Sequence, residues 1–149
     1  GGNADAALRG GVQVPVNDPM LLIPAMAAAT QHLGFGVTAN LVYEAPFLFA
    51  RRMSTLDHLT GGRVGWNIVT GYLDSAARAL GHDAQMQHDD RYDLAEEYME
   101  AVYALWEGSW ADDAVKRDRA GGLYTDPARI RRIHHQIRLM TLVPAFAHC

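Results

Sequence analysis

The order of helical and strand-like segments is the feature that most constrains the fold of this chain. Helical patterns cover residues 18–33, 46–60 and 89–107, and short apolar segments lie between them at residues 35–39 and 63–69. Such alternation with short connections predicts parallel strands joined by right-handed crossovers. Neither apolar segment alternates with polar residues, which is typical of strands covered on both faces. The sequence therefore predicts an α/β fold, either a doubly wound sheet or part of a (β/α)8 barrel.

Residues with strong backbone preferences mark the ends of these elements. Asp18 and Pro19 favour a helix start, the first as a cap and the second in the first turn. Pro24 removes a helical hydrogen bond, so the helix either kinks or begins there. Gly34 is predicted to end this helix in a left-handed conformation, and residues 61–62 to end the next helix.

Other segments are predicted to be irregular or solvated. Residues 1–17 are glycine-rich and read as a loop, residues 70–74 as a polar turn, and residues 109–122 as a charged excursion into solvent. The three tryptophans are expected in the core rather than on a cofactor; they are Trp66, Trp106 and Trp110.

The composition argues against several classes of function. The net charge is −4 and the pI about 5.9, whereas nucleic-acid binders usually carry a basic surplus. No apolar run reaches the ~20 residues that span a bilayer, and no secretory pattern is present. The one cysteine, Cys149, cannot form an internal disulfide, which fits the cytoplasm. The adjacent His134 and His135 lack a third spaced ligand, so no metal site is predicted.

One continuous motif indicates the family. Residues 55–70 read TLDHLTGGRVGWNIVT, which closely resembles the segment TLDHLSGGRVGWNIVTS of luciferase-like flavin monooxygenases, in the group of nitrilotriacetate monooxygenase component A, dibenzothiophene-sulfone monooxygenase and pristinamycin synthase. The resemblance covers roughly residues 18–130, and residues 131–149 form a divergent tail. Because a full barrel needs about 250 residues and the 149-residue chain opens on Gly1 rather than Met, we expect one partial domain with about half of the barrel.

The resemblance implies the activity and its partners. A (β/α)8 barrel of this family binds reduced FMN (FMNH2) and uses O2 to insert one oxygen atom into a small organic substrate. A separate NAD(P)H-dependent flavin reductase supplies the reduced flavin, and the full-length enzyme is expected to be a homo-oligomer. The alternative is a non-catalytic or inactive, truncated flavin-binding barrel. A doubly wound nucleotide-binding module is disfavoured because the chain lacks its glycine fingerprint.

Four residues carry the predicted flavin site. By the resemblance, Thr38 matches a flavin-contacting threonine at a strand end, and His88 and Tyr92 match a pair on the phosphate and ribityl side. Asn67, at the end of the next strand, is expected to point to the same face. The residues also suit these roles physically, because barrel enzymes build their sites at strand ends and a helix N-terminus favours a phosphate. No catalytic residue is assigned.

The chain departs from the family pattern just after the first strand. The family often reads Thr-x-Ser-Thr-x-Tyr there, whereas residues 38–43 read TANLVY. Asn40 and Leu41 therefore replace two hydroxyl residues, and local contacts to flavin or substrate are expected to differ.

Overall fold

Two parallel strands form the centre of the chain. The computed structural model describes residues 4–12, 16–41 and 43–135, so Cys149 and most of the predicted divergent tail lie outside the described residues. Strand β1 (Phe35–Asn40) pairs with β2 (Val64–Val69) along their whole lengths, from Phe35 opposite Val64 to Asn40 opposite Val69. The predicted parallel pairing is confirmed.

Helices connect and cover these strands. They are α1 (Ala4–Gly10), α2 (Pro19–Ala29), α3 (Pro46–Thr60), α4 (Asp74–Ala79) and α5 (His88–Tyr103). A π-helical turn (Ala104–Gly108) extends α5, and an antiparallel hairpin of β3 (Val115–Asp118) and β4 (Leu123–Thr125) precedes a 3-10 turn (Pro127–Arg129). Among the described residues, the helices are all too short or too polar to cross a bilayer.

The start of α2 agrees with the sequence and its end does not. Asp18 caps the helix, since its Oδ1 accepts a hydrogen bond from Met20 N at 2.9 Å, and Pro24 lies inside it. The prediction that Gly34 ends the helix is wrong, because α2 stops at Ala29. Two side chains contact this end: Thr30 Oγ1 donates to Met26 O at 2.7 Å, and the Arg63 guanidinium donates to Ala27 O at 3.2 Å.

The end of α3 follows local preference alone. Gly61 adopts φ 63°, and its N–H donates to Asp57 O. This left-handed conformation is the one that glycine tolerates without steric cost. The predicted stop at residues 61–62 is confirmed.

Three segments that the sequence left irregular contain regular structure. The loop predicted for residues 1–17 is wrong over α1, where alanines favour a helix despite the flanking glycines. The polar turn at residues 70–74 leads directly into α4, which the periodicity did not reveal. The excursion at residues 109–122 is largely exposed, as predicted, but it includes β3.

Aromatic side chains dominate the core between the strands and the helices. The rings of Phe49 and Trp66 lie 4.3 Å apart, and Tyr98 lies 6.1 Å from Phe49. Trp106 Nε1 donates to a backbone carbonyl of α3 at 3.1 Å. The core role predicted for Trp66 and Trp106 is confirmed, whereas Trp110 is more than one-third exposed and the prediction is wrong for it.

The two faces of the sheet differ, contrary to the expectation of full cover. In β1, Phe35 and Val37 are buried against the helices, while Gly36 and Thr38 are exposed. Within the described residues the second face therefore stays open. In a closed barrel that face would point to the interior and be covered by the other strands.

Candidate functional site

Two polar side chains of β1 and β2 meet on the open face of the sheet, two residues before the strands end rather than at the predicted strand ends. Thr38 is the register partner of Asn67, and Asn67 Nδ2 donates a hydrogen bond to Thr38 Oγ1 at 3.1 Å. Both residues are exposed, whereas Val37 and Trp66 beside them pack on the core. The bond uses one amide hydrogen, so the amide oxygen and the threonine hydroxyl hydrogen can bind a ligand.

A cavity of about 740 Å³ opens beside Thr38. Its walls come from the end of β1, the first turns of α2 and α3, and the segment after β2. Tyr43 and Tyr72 flank it, and each follows its strand by three residues. Ligands of α/β barrels bind at this end of the strands.

The charged groups of the cavity wall are already partnered. Glu44 and Arg52 form an ion pair through Oε2 and Nη2. The Asp18 carboxylate caps α2, as described above. The charges of Glu44 and Arg52 therefore cancel, and the one remaining negative charge, on Asp18, is already engaged at the N-terminus of α2.

Tyr98 lies behind this ion pair and is fully buried. Burial raises the pKa of its hydroxyl well above the usual 10.0, the Glu44 carboxylate raises it further, and Arg52 opposes the shift. Among the described residues the hydroxyl has no hydrogen-bond partner. Tyr98 is therefore a neutral phenol over the physiological pH range.

The two remaining predicted residues meet at the start of α5. The rings of His88 and Tyr92 lie 4.9 Å apart, and His88 Nδ1 lies 2.9 Å from Asp89 Oδ1. No side chain caps the helix, so its first N–H groups can bind an anion. The carboxylates of Asp89 and Asp90 in the first turn partly offset this preference.

The structure thus brings the four predicted residues together as two pairs. In the part of the chain that the structure describes, no hydrogen bond or ring contact links the Thr38–Asn67 pair to the His88–Tyr92 pair. The cavity borders Thr38 but not the other three residues. Their role in flavin binding stays a prediction. The described residues also contain no cluster of side chains suited to a metal ion.

Comparison with known proteins decides the family. The sequence pattern of the family described as luciferase-like monooxygenase matches residues 5–139. The chain belongs to this family. The resemblance in sequence described above predicts a (β/α)8 barrel for this family. The similar solved structures agree with a partial barrel, so the doubly wound alternative is excluded.

Named relatives of the luciferase-like family align with nearly the whole chain. Dimethyl-sulfide monooxygenase of Hyphomicrobium sulfonivorans is 57% identical over 148 residues, which are 99% of this chain and 31% of the relative. Long-chain alkane monooxygenase of Geobacillus thermodenitrificans is 56% identical over 131 residues, 88% of this chain and 30% of the relative. The chain spans about a third of the length of these relatives.

A solved structure gives the same picture. The crystal structure of a long-chain alkane monooxygenase superposes with a TM-score of 0.88 at 52% identity, covering 97% of this chain and 33% of that protein. The fold is therefore that of a segment of a luciferase-like barrel.

Sequence reasoning missed several residues that border the cavity. Tyr43 and Tyr72 could have been found, because each follows a predicted strand closely on the side where barrel sites form. The pairing of Glu44 with Arg52 had no such signal. The two residues lie eight positions apart, across the start of α3, and only the packing of that helix brings them together.

Proposed function

We propose that the protein containing this chain is a flavin-dependent monooxygenase that uses reduced FMN, supplied by a separate NAD(P)H-dependent flavin reductase. FMNH2 brings the two electrons and reacts with O2, so that one oxygen atom enters a small organic substrate and the other leaves as water. We further propose a cytoplasmic homo-oligomer with no nucleic-acid or membrane partner. The supporting facts are family membership and the named monooxygenases among its relatives.

One structural observation carries the proposal. The hydrogen-bonded Thr38 and Asn67 lie opposite each other on the open face of β1 and β2, two residues before the strands end, and Thr38 borders the cavity. A flavin ring presents N–H and C=O groups at its edge, and a hydroxyl with an amide oxygen supplies the complementary donor and acceptor. These residues fit the cofactor chemically, and their role is to orient the ring against the cavity.

The start of α5 fits the other end of the cofactor. The rings of His88 and Tyr92 lie against each other, tilted by 39°, at an uncapped helix N-terminus. The imidazole and the phenol can each donate to a phosphate oxygen, and the helix N–H groups add to this attraction. With its Nδ1–H donated to the Asp89 carboxylate, the imidazole has Nε2 left for the ligand, and Nε2 donates to a phosphate oxygen when the ring carries both protons.

A neutral substrate suits the cavity better than a charged one. The carboxylate and guanidinium groups in its wall compensate each other or cap a helix, and apolar residues make up most of the rest. The relatives at 57% and 56% identity are named for dimethyl sulfide and long-chain alkanes, which are both uncharged. We therefore extend the proposal to uncharged, weakly polar substrates.

The decisive experiment is an anaerobic titration of the full-length protein with FMNH2, followed by detection of the oxygenated product with added reductase, O2 and substrate. Tyr92→Phe and Thr38→Val are expected to weaken FMNH2 binding by about tenfold each, the loss of one ligand hydrogen bond. Tyr124→Phe and Thr55→Val are matched controls on exposed residues away from the cavity, and they should bind like the wild type. Equal affinity in all four variants would contradict the assigned site.

A second possibility concerns the isolated 149-residue chain. Within the described residues, β1 and β2 form a two-stranded sheet whose outer edges pair with no other strand, and the face that carries Thr38 is open. Such a sheet exposes unpaired backbone groups and an incomplete ligand site. We propose that this chain alone is inactive, and tight stoichiometric binding of FMNH2 by it would refute that.

A further inference from the structure

The side chain of Asn40, at the end of β1, lies against Gly71, two residues after the end of β2. Gly71 has φ +73°, and a Cβ atom on it would lie 2.1 Å from Asn40 Nδ2 and 3.2 Å from Asn40 Cγ. Real Cβ atoms do not approach other heavy atoms that closely. The Asn40 carboxamide therefore fills the space that any side chain at position 71 would need.

This contact forms part of the cavity wall. Asn40 and Gly71 both line the cavity, together with Thr38 on one side and Tyr72 on the other. Gln85 closes the same point from outside, because its Nε2 would lie 3.4 Å from a Cβ on Gly71. The Gln85 backbone N–H donates to Asp74 Oδ1 at 3.0 Å, which holds this side of the loop to α4.

The packing leaves little freedom to the wall at this point. Gly71 can accept a side chain only if the Asn40 carboxamide moves, and its left-handed φ adds a strain for any residue other than glycine. The side chain at position 40 therefore decides how far the cavity extends between the two strand ends. The family patterns quoted above have serine at both positions, so this chain departs from them at both partners of one contact.

We propose that Asn40 and Gly71 act as a coupled pair, in which the Asn40 carboxamide limits the cavity between the strand ends and makes Asn40 a specificity-determining residue for substrate size. The inference rests on the proposed monooxygenase function, since it takes this cavity to hold the substrate. The bulk of the carboxamide selects shorter substrates, and a smaller side chain at position 40 admits longer ones.

The coupling is tested by thermal unfolding of the full-length protein, without flavin or substrate. Gly71→Ala alone is expected to lower Tm by roughly 2 to 10 °C, from collision and strain together. In the Asn40→Ser background the same change should lower Tm by about half as much, because only the strain remains. If Gly71→Ala fails to fold and the double variant folds, the rescue supports the coupling. Equal Tm losses in both backgrounds would overturn it.

The specificity role is tested with a reductase-coupled assay on dialkyl sulfides and n-alkanes of increasing length. Asn40→Ser should raise kcat/KM for substrates longer by one or two carbons relative to the best wild-type substrate, by roughly tenfold and mainly through KM. Asn40→Asp is the matched control, because it keeps the shape of the side chain and should keep the order of preference.

The outcomes separate this inference from the proposed function. An active wild type whose size preference is unchanged in Asn40→Ser overturns the specificity role and leaves the monooxygenase proposal intact. A protein that binds no FMNH2 and oxidises none of the probes contradicts the proposed function, and the specificity role falls with it. In that case the unfolding measurements still decide the coupling of Asn40 with Gly71.

Discussion

The two faces of the β1–β2 sheet have opposite properties. On the helix side, Trp66 packs on Phe49 and Tyr98 in a nearly dry aromatic cluster. On the open side, one residue further along each strand, Thr38 and Asn67 are exposed and hydrogen-bonded to each other. Adjacent positions of one strand thus serve packing and, by the function proposed above, ligand binding in turn.

This difference shows how a strand can carry a site at little cost to its own stability. Successive side chains point to opposite faces, so the polar groups of the open face never compete with the apolar groups of the core. We therefore expect substitutions on the helix side to change the free energy of unfolding, and substitutions on the open side to change ligand binding. The predictions below probe this division.

The largest effect is expected for Phe49→Ala in α3. Phe49 is buried and contacts three aromatic rings, and removing such a side chain costs about 3–5 kcal/mol of unfolding free energy. Urea denaturation measures this loss. Leu59→Ala on the same helix is the control, since Leu59 is exposed and should change stability by no more than about 0.5 kcal/mol. Similar losses of unfolding free energy in both variants would contradict the proposed division between the two faces of the sheet.

A smaller effect on the same face depends on pH. The pKa of the buried Tyr98 hydroxyl is raised in the folded state, so above pH 10 the unfolded state loses this proton and the folded state keeps it. The contribution of this hydroxyl to the free energy of unfolding is fully present below pH 10. It decreases as the pH rises further, by at most about 1.4 kcal/mol per pH unit. Tyr98→Phe should remove this part of the slope.

The same variant gives a check at neutral pH. Because the Tyr98 hydroxyl has no hydrogen-bond partner among the described residues, its removal should leave stability within about 1 kcal/mol of the wild type or raise it. A larger loss would mean that the hydroxyl has a partner.

On the open face, Thr38→Val should change stability little. It removes one exposed hydrogen bond with Asn67, which contributes on the order of 0.5 kcal/mol. Its effect on FMNH2 binding should exceed its effect on unfolding, the reverse of Phe49→Ala. Comparing the two variants by denaturation and by titration tests the division directly, and a large unfolding loss for Thr38→Val would contradict it.

The smallest effect is expected on the hairpin, outside both faces. The hydrogen bond from Lys116 lowers the pKa of the exposed Asp113 carboxyl, and Arg129 adds to this. Lys116→Met should raise this pKa toward its usual value, as an NMR titration would record. The contribution of Asp113 to stability is present above pH 3.8 and is lost on acidification. Because this carboxyl is exposed, we expect Lys116→Met to change Tm at neutral pH very little.

The site was only partly predictable from the sequence. Thr38 and Asn67 follow apolar segments whose parallel pairing was predicted, so their meeting on one face required only the correct register. The closeness of His88 and Tyr92 follows from helical spacing. No pattern in the sequence indicated that Asn40 would reach Gly71, because the two residues lie 31 positions apart and meet only through strand pairing.

The sequence by itself determined the local geometry: the Asp18 cap, the glycine stop after α3, the two apolar strands and the family. These features depend on backbone preferences and on spacing within a few residues. Tertiary structure alone decided the pairing of Glu44 with Arg52, the contact of Arg63 with the end of α2 and the wall formed by Asn40. Such contacts join distant segments, and their geometry depends on how whole elements pack together rather than on any local preference.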